Sequence, residues 1–390
     1  MTARDMKLTR FLCLLACIYE LMGWPTLLAQ SNNPAPSTNA PPPRAPRPAP
    51  LVSPELLSGG GVTFRLKAPQ AKEVKVVGQF GADAALQKDQ QGVWSVTLPA
   101  VPAGVHEYRF VVDGLAMVDP QNGDIKPQRW PNSSILHVPS SPPAPWDLQD
   151  IPHGVLHEHL YHSKVLGTWR KVVVYTPPGT ESGAGGKLPV LYLSHGYSDN
   201  QGSWSVHGKA HWILDALIAQ KKAVPMLVVM PDGHALPPAA GAWETYATNN
   251  SGAYCDELVK DIIPLIEGHY RVSSRPRSRA FAGLSMGGHH AYAVALKHHD
   301  QFAWIGAFSA AVPVDSWIAR DLENSAALNR DLKLFWIACG KKDFLFQNNE
   351  TFAAVLKGKG IRHQYVVTEG DHSWPVWRNY LVEFAPKLFR

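Results

Sequence analysis

The chain has 390 residues, more than one average domain needs, and its 45% hydrophobic and 18% charged residues are a globular balance able to bury a sizeable core. The formal net charge of +5 comes from scattered rather than clustered basic residues, which gives a nucleic-acid partner little support, and none is expected. Thirteen Trp suit a large core or a site where flat rings stack on sugar or phenyl faces. Of the four cysteines, Cys13 and Cys17 fall in an N-terminal apolar stretch. Cys255 and Cys339 fit no zinc or thioredoxin spacing and are expected as one disulfide or as two buried thiols.

Met6-Lys7-Leu8-Thr9-Arg10 is a basic start, Phe11 to Leu28 is largely apolar, and Ala29 suits a cleavage point. A signal peptide is expected over residues 1–29, giving a secreted or periplasmic protein with no membrane attachment after cleavage. Glu20, Gly23 and Pro25 argue against a membrane helix, and a lipoprotein anchor at Cys17, after Leu14-Leu15-Ala16, is the alternative. Residues 30–52 are Pro-rich and predict an extended tether.

Residues 53–139 read as an all-β, immunoglobulin-like sandwich. Apolar and polar residues alternate over Val62–Leu66, Val74–Val77, Val93–Leu98 and His106–Val112, and Asp113-Gly114 closes a hairpin into Ala116–Val118. The segments VTFRLKAPQAKEVKVVGQF, GVWSVTL and YRFVVDG, with the pair Asp119-Pro120, resemble the early-set, family-48 carbohydrate-binding module. Glycan-binding members place a Trp soon after the segment that here reads Gln79 to Ala84, and this chain has none there. A spacer or lid-support role is therefore favoured over glycan binding.

A second Pro-rich linker covers 140–153, and from 154 to 390 strands alternate with helices, the pattern of an α/β fold. Strands are expected at Val155–Ser163, Arg170–Tyr175, Leu188–Leu193, Met226–Met230, Arg279–Ala282, Leu334–Ala338 and Gln364–Val367. Helices are expected at Ala210–Ala219, Ala253–Gly268, His289–Lys297 and Trp374–Phe389.

Gly283-Leu284-Ser285-Met286-Gly287 stands between a strand and an Ala-rich helix, the context of a nucleophile elbow. A serine hydroxyl there needs a base, and His372, in the loop after the last strand, is the candidate among 17 histidines; His289 and His290 lie on the helix and read as structural. Asp343 follows a strand and completes the chain order Ser, Asp, His; Asp371, Asp232, Asp315 and Asp321 are its rivals. Ser194-His195-Gly196-Tyr197 follows an earlier strand, so the backbone amides of Tyr197 and Met286 are expected to bind an oxyanion. Trp204, Trp243 and Trp374 are candidate substrate contacts or core residues. No HExxH or similar spacing suggests a metal, and no cofactor is implied.

The pieces VLYLSHGYSDNQGSW, MLVVMPDGH, RAFAGLSMGGHHAYAVAL, FWIACGKKDFLF and GDHSWPVWRNYLVEFAPKLF make residues 154–390 similar to the esterase D-like family of α/β-hydrolases. That family includes the feruloyl and acetyl-xylan esterases of carbohydrate esterase family 1 and the mycolyltransferases. The resemblance implies an α/β-hydrolase fold, the triad Ser285, Asp343 and His372, and hydrolysis of feruloyl or acetyl esters on xylan or its oligosaccharides. The alternatives are a siderophore trilactone esterase, an acyltransferase and a catalytically dead carbohydrate-binding protein.

Overall fold

The computed structural model describes residues 50–180, 186–237, 243–312 and 322–390, without the side chains of residues 243 and 244. The expected signal peptide, its Cys17 alternative and most of the first tether lie outside the described residues, as do Asp315 and Asp321. Leu51–Arg390 form one compact unit.

Strand alternation builds the first domain. Val62, Phe64 and Leu66 turn inward from Val62–Lys67, and Val74 and Val76 from Val74–Gly78. One antiparallel sheet has the order Glu55–Leu56, Val62–Lys67, Val93–Leu98, Gln87–Lys88. The facing sheet has Ala84–Ala85, Val74–Gly78, Gly104–Val112 and Leu115–Met117, with Ser134–Val138 also paired to Gly104–Val112. Phe64, Trp94, Tyr108 and Phe110 fill the space between them. Asp119 is fully buried there and accepts hydrogen bonds from Ser53 Oγ (2.6 Å) and Tyr108 Oη (2.8 Å), which gives the Asp119-Pro120 pair a structural role.

The second domain is an eight-stranded sheet of β1 (Val155–Ser163), β2 (Thr168–Thr176), β3 (Val190–Ser194), β4 (Leu227–Pro231), β5 (Arg279–Leu284), β6 (Trp304–Phe308), β7 (Leu334–Gly340) and β8 (Gln364–Thr368). Its order is β1-β2-β4-β3-β5-β6-β7-β8, parallel from β4 onward, with β1 and β2 antiparallel. β3 to β7 are buried along their whole length because helices cover both faces. The chief helices are α1 (Ala210–Ala219), α2 (Trp243–Glu257), α3 (Met286–Lys297), α4 (Phe346–Gly358) and α5 (Trp374–Phe384). This is the expected α/β-hydrolase fold behind an all-β domain.

Three features differ from the sequence reading. β6 and Ser134–Val138 were not anticipated: β6 carries Gly306 in its middle, and Gly weakens a strand signal. The helix expected from Ala253 begins ten residues earlier at Trp243, through a polar run that carries little helical periodicity. The connector after residue 140 is pinned rather than loose. Its Asp147 is buried and accepts from His137 Nε2 (2.7 Å) and the amides of Ser140 (2.9 Å) and Ala144 (2.8 Å). Cys255 and Cys339 are buried free thiols. Among the described residues, no helix is long and apolar enough to cross a membrane.

The sandwich docks on the hydrolase domain at the C-terminal ends of its parallel strands. Arg378 of α5 is buried and donates to the carbonyls of His207 and Val105, each at 3.0 Å. Ser203 Oγ donates to Pro127 O (2.6 Å), and the Arg129 amide donates to Ser198 O (2.9 Å).

Candidate active site

Between β5 and α3 the chain makes the sharp turn that the Gly-x-Ser-x-Gly pattern predicts. Ser285 has φ 54° and ψ −112°, a conformation that L residues adopt only when their surroundings impose it. Here they do: its amide donates to Phe308 O (2.9 Å), and its carbonyl accepts from the amides of His289 and Ala311, both at 3.1 Å. Gly287 lets α3 press against the end of β3, because a Cβ there would stand 2.6 Å from Ser194 O and 2.7 Å from His195 O.

His372, in the loop between β8 and α5, lies with Nε2 3.0 Å from Ser285 Oγ. Its Nδ1 is 2.9 Å and 3.0 Å from the two carboxylate oxygens of Asp343, which follows β7. Burial resists ionisation of Asp343, but the His372 hydrogen bond and charge and the Leu345 amide, donating to Oδ1 at 2.8 Å, hold its carboxyl below the usual range. A carboxylate at Nδ1 fixes the proton on that nitrogen and leaves the Nε2 lone pair facing the serine hydroxyl. The imidazole is held between Phe344 and Trp377, with ring centroids 4.5 and 4.9 Å away.

The rival acids lie elsewhere. Asp371 is exposed and bonded to Ser373 Oγ, and Asp232 is engaged with His195 and the His234 amide. His289 donates to Ala311 O (2.9 Å), and His290 stacks on Tyr254 with centroids 4.3 Å apart; both rings are buried.

The loop after β3 passes directly over the serine: a Cβ on Gly196 would lie 3.6 Å from Ser285 Cβ. Tyr197, the next residue, lines the same cleft as Ser285. Met286 opens α3, and its amide is among those that a helix leaves without an intrahelical acceptor.

The serine lies in a cleft of about 330 Å³. Tyr197, Phe344, Trp374 and Trp377 line its hydrolase side, and Gln79, Glu107 and Lys126 come from the sandwich. Lys126 Nζ bonds Glu107 Oε1 (2.9 Å) and lies 3.8 Å from Asp199 Oδ1. A second hollow of about 180 Å³ shares Gln79 and Glu107 and continues past Arg109 and Ser133 along the sandwich.

Of the three tryptophans singled out in the sequence, Trp374, itself only 2% exposed, lines the cleft. Trp204 does not: it is 1% exposed, donates to Ser194 O (2.9 Å) and packs edge-on to Phe308 and Trp374, so it is core beneath the loop after β3. The side chain of Trp243 lies outside the described residues. Trp377 and Phe344 were missed. Trp377 had a signal, since three residues past Trp374 on a helix it shares that face. The sandwich residues Gln79, Glu107 and Lys126 had none, because only the docking of the two domains brings them to Ser285.

The sequence profile of the family described as "Putative esterase" matches residues 163–388, more than half of the chain. The chain belongs to this esterase family. A second profile, "Carbohydrate-binding module 48 (Isoamylase N-terminal domain)", matches residues 52–127. The chain is 30% identical over 351 residues to an endo-1,4-beta-xylanase/feruloyl esterase of Xylanibacter ruminicola, an alignment covering 86% of the chain. It spans a little under half, 46%, of that relative's length. A solved ferulic acid esterase superposes with a TM-score of 0.53 at 25% identity, covering 61% of this chain and 100% of that one. The enterobactin esterase of Shigella flexneri, solved in the presence of enterobactin, shares the fold over 84% of this chain and 92% of its own, with a TM-score of 0.61 and 18% identity.

Proposed function

We propose that this chain is a serine esterase that hydrolyses feruloyl or acetyl esters carried by plant cell-wall polysaccharide or its oligosaccharides. One observation carries the reading: Ser285 and His372, hydrogen-bonded in series to the buried Asp343, line a cleft walled by both domains. Ser285 Oγ attacks the ester carbonyl carbon while its proton passes to His372 Nε2, and the former carbonyl oxygen takes up the negative charge beside the Tyr197 and Met286 amides. Collapse of that intermediate breaks the bond to the alcohol, which leaves with the proton from Nε2. Water then gives its proton to Nε2 and its oxygen to the acyl carbon, and the same proton returns to Ser285 Oγ as the acid departs. Asp343 holds the imidazole tautomer throughout.

The aromatic side of the cleft suits a flat hydroxycinnamoyl group, and Gln79, Glu107 and Lys126 suit sugar hydroxyls on the alcohol side. The sandwich is thus assigned a part in holding substrate rather than a spacer role. Described cleft residues include one lysine and no arginine, which favours this reading over a trilactone siderophore. Export from the cytoplasm fits both an extracellular polymer as substrate and the basic start and apolar run of residues 6–29.

The test is a three-substrate assay with the purified full chain: methyl ferulate, acetylated xylan and a trilactone siderophore. Release of ferulate or acetate, abolished in Ser285→Ala, is the expected outcome. Cleavage of the trilactone with neither of the other two would overturn the proposal.

A further inference from the structure

His195 takes no part in the relay of Ser285, His372 and Asp343, yet it is 1% exposed and fully engaged at the end of β3. The Gly233 amide lies 2.8 Å from its Nε2 and is a donor only, so that nitrogen accepts. The ring proton is then on Nδ1, which donates to Gly196 O at 2.8 Å. The Asp199 amide donates to the same carbonyl at 3.2 Å. Asp232 Oδ1 also lies 3.2 Å from Nε2, but Gly196 O can only accept, so Nδ1 is the donor to it whichever of the two Nε2 engages.

Two donors therefore fix the direction of the Gly196 carbonyl. In a planar trans peptide the carbonyl and the following N–H point in opposite directions. The Tyr197 N–H is thus turned away from His195, and a Cβ on the adjoining Gly196 would lie 3.6 Å from Ser285 Cβ. The geometry points to His195 as a positioning residue that locks the Gly196–Tyr197 peptide so that its N–H faces the oxyanion. It rests on the serine-esterase reading above and deepens it: binding of the developing charge depends on a side chain that never touches substrate. Gly233, after β4, holds the ring, so the end of β4 is coupled to the reacting centre through one imidazole.

Three substitutions separate this role from simple packing. His195→Asn keeps a donor near the Nδ1 position. His195→Gln keeps polar contact toward Gly233 but withdraws the donor to Gly196. His195→Ala removes both. With 4-nitrophenyl acetate as substrate, His195→Gln and His195→Ala should lose about 10- to 100-fold in kcat with KM within about twofold, since a whole oxyanion donor is worth about 10²–10³ in kcat. His195→Asn should recover most of the loss. A trifluoromethyl ketone, which forms a tetrahedral oxyanion adduct on the serine, should lose affinity in the same order. If His195→Ala does not fold, the Asn and Gln pair decides. Equal activity in folded Asn and Gln variants, or a loss confined to KM, overturns the proposal. Turnover that survives in Ser285→Ala instead overturns the esterase reading, and this one with it.

Discussion

Asp343→Asn changes one atom at the far end of the hydrogen-bonded series, and the structure dictates what the amide does. The Leu345 amide donates to Oδ1 at 2.8 Å, so the carbonyl oxygen of an Asn must occupy that position. Its NH2 group then takes the place of Oδ2, the nearer of the two oxygens to His372 Nδ1 at 2.9 Å against 3.0 Å, and favours a lone pair on that nitrogen. The imidazole proton moves to Nε2, 3.0 Å from Ser285 Oγ, where it faces the hydroxyl it should deprotonate. Phe344 and Trp377 still hold the ring, so the loss comes from the wrong tautomer rather than from collapse of the site. A wrong-tautomer triad loses about 10⁴ in kcat, or about 5 kcal/mol at 1.36 kcal/mol per tenfold. Steady-state hydrolysis of 4-nitrophenyl acetate should show that drop with KM little changed and the thermal midpoint close to that of the parent. Asp371→Asn, at an exposed site, should stay within about twofold. An Asp343→Asn enzyme within tenfold of the parent, or an Asp371→Asn enzyme that is worse, would refute the reasoning.

Gly287→Ala should separate α3 from β3, because its Cβ would meet two backbone oxygens at 2.6 and 2.7 Å; a loss of about 1–3 kcal/mol in urea unfolding is expected, and an unchanged midpoint contradicts it. Acid should destabilise the fold. Burial pushes the imidazoles of His207 and His290 well below their ordinary range, His211 down to about 4 and His234 to about 3. The unfolded chain therefore binds more protons once the pH falls below about 6.5, and stability, complete above that value, drops by up to about 1.4 kcal/mol per group per pH unit. The urea midpoint should be lower at about pH 5.5 than at about pH 7.5, and an equal or higher one would contradict this. Gln79→Ala combined with Glu107→Ala should raise KM several-fold more for a feruloylated xylo-oligosaccharide than for methyl ferulate, and an equal change in both would remove the sandwich from substrate binding.

What could be read in the sequence was local in the chain. The serine turn is specified by five consecutive residues, and Asp343 and His372 each follow a strand that is short and recognisable in the chain, so their place at the strand ends followed from order alone. β6 was not legible because Gly306 breaks a five-residue apolar run. Trp204 and Trp374 looked alike as letters near the site, but Trp204 is turned under the loop after β3 and Trp374 reaches the cleft. That difference depends on side-chain direction within helices, which spacing from a catalytic residue does not encode. The sandwich wall was the least legible part. Gln79, Glu107 and Lys126 carry no catalytic pattern, and a missing Trp argued for a spacer. Their position over Ser285 follows from inter-domain contacts such as Arg378 to Val105 O, which join residues 273 positions apart in the chain.

The central claim is that Ser285 is the nucleophile of an ester hydrolase, and covalent trapping tests it most directly. The full chain is treated with diethyl 4-nitrophenyl phosphate, release of 4-nitrophenol is followed, and the protein is digested and sequenced by mass spectrometry. One equivalent of 4-nitrophenol, a single diethylphosphoryl group on Ser285 and loss of esterase activity in step with labelling are the predicted result. Inactivation with the label on another residue, or full esterase activity with Ser285 quantitatively labelled, would contradict the account.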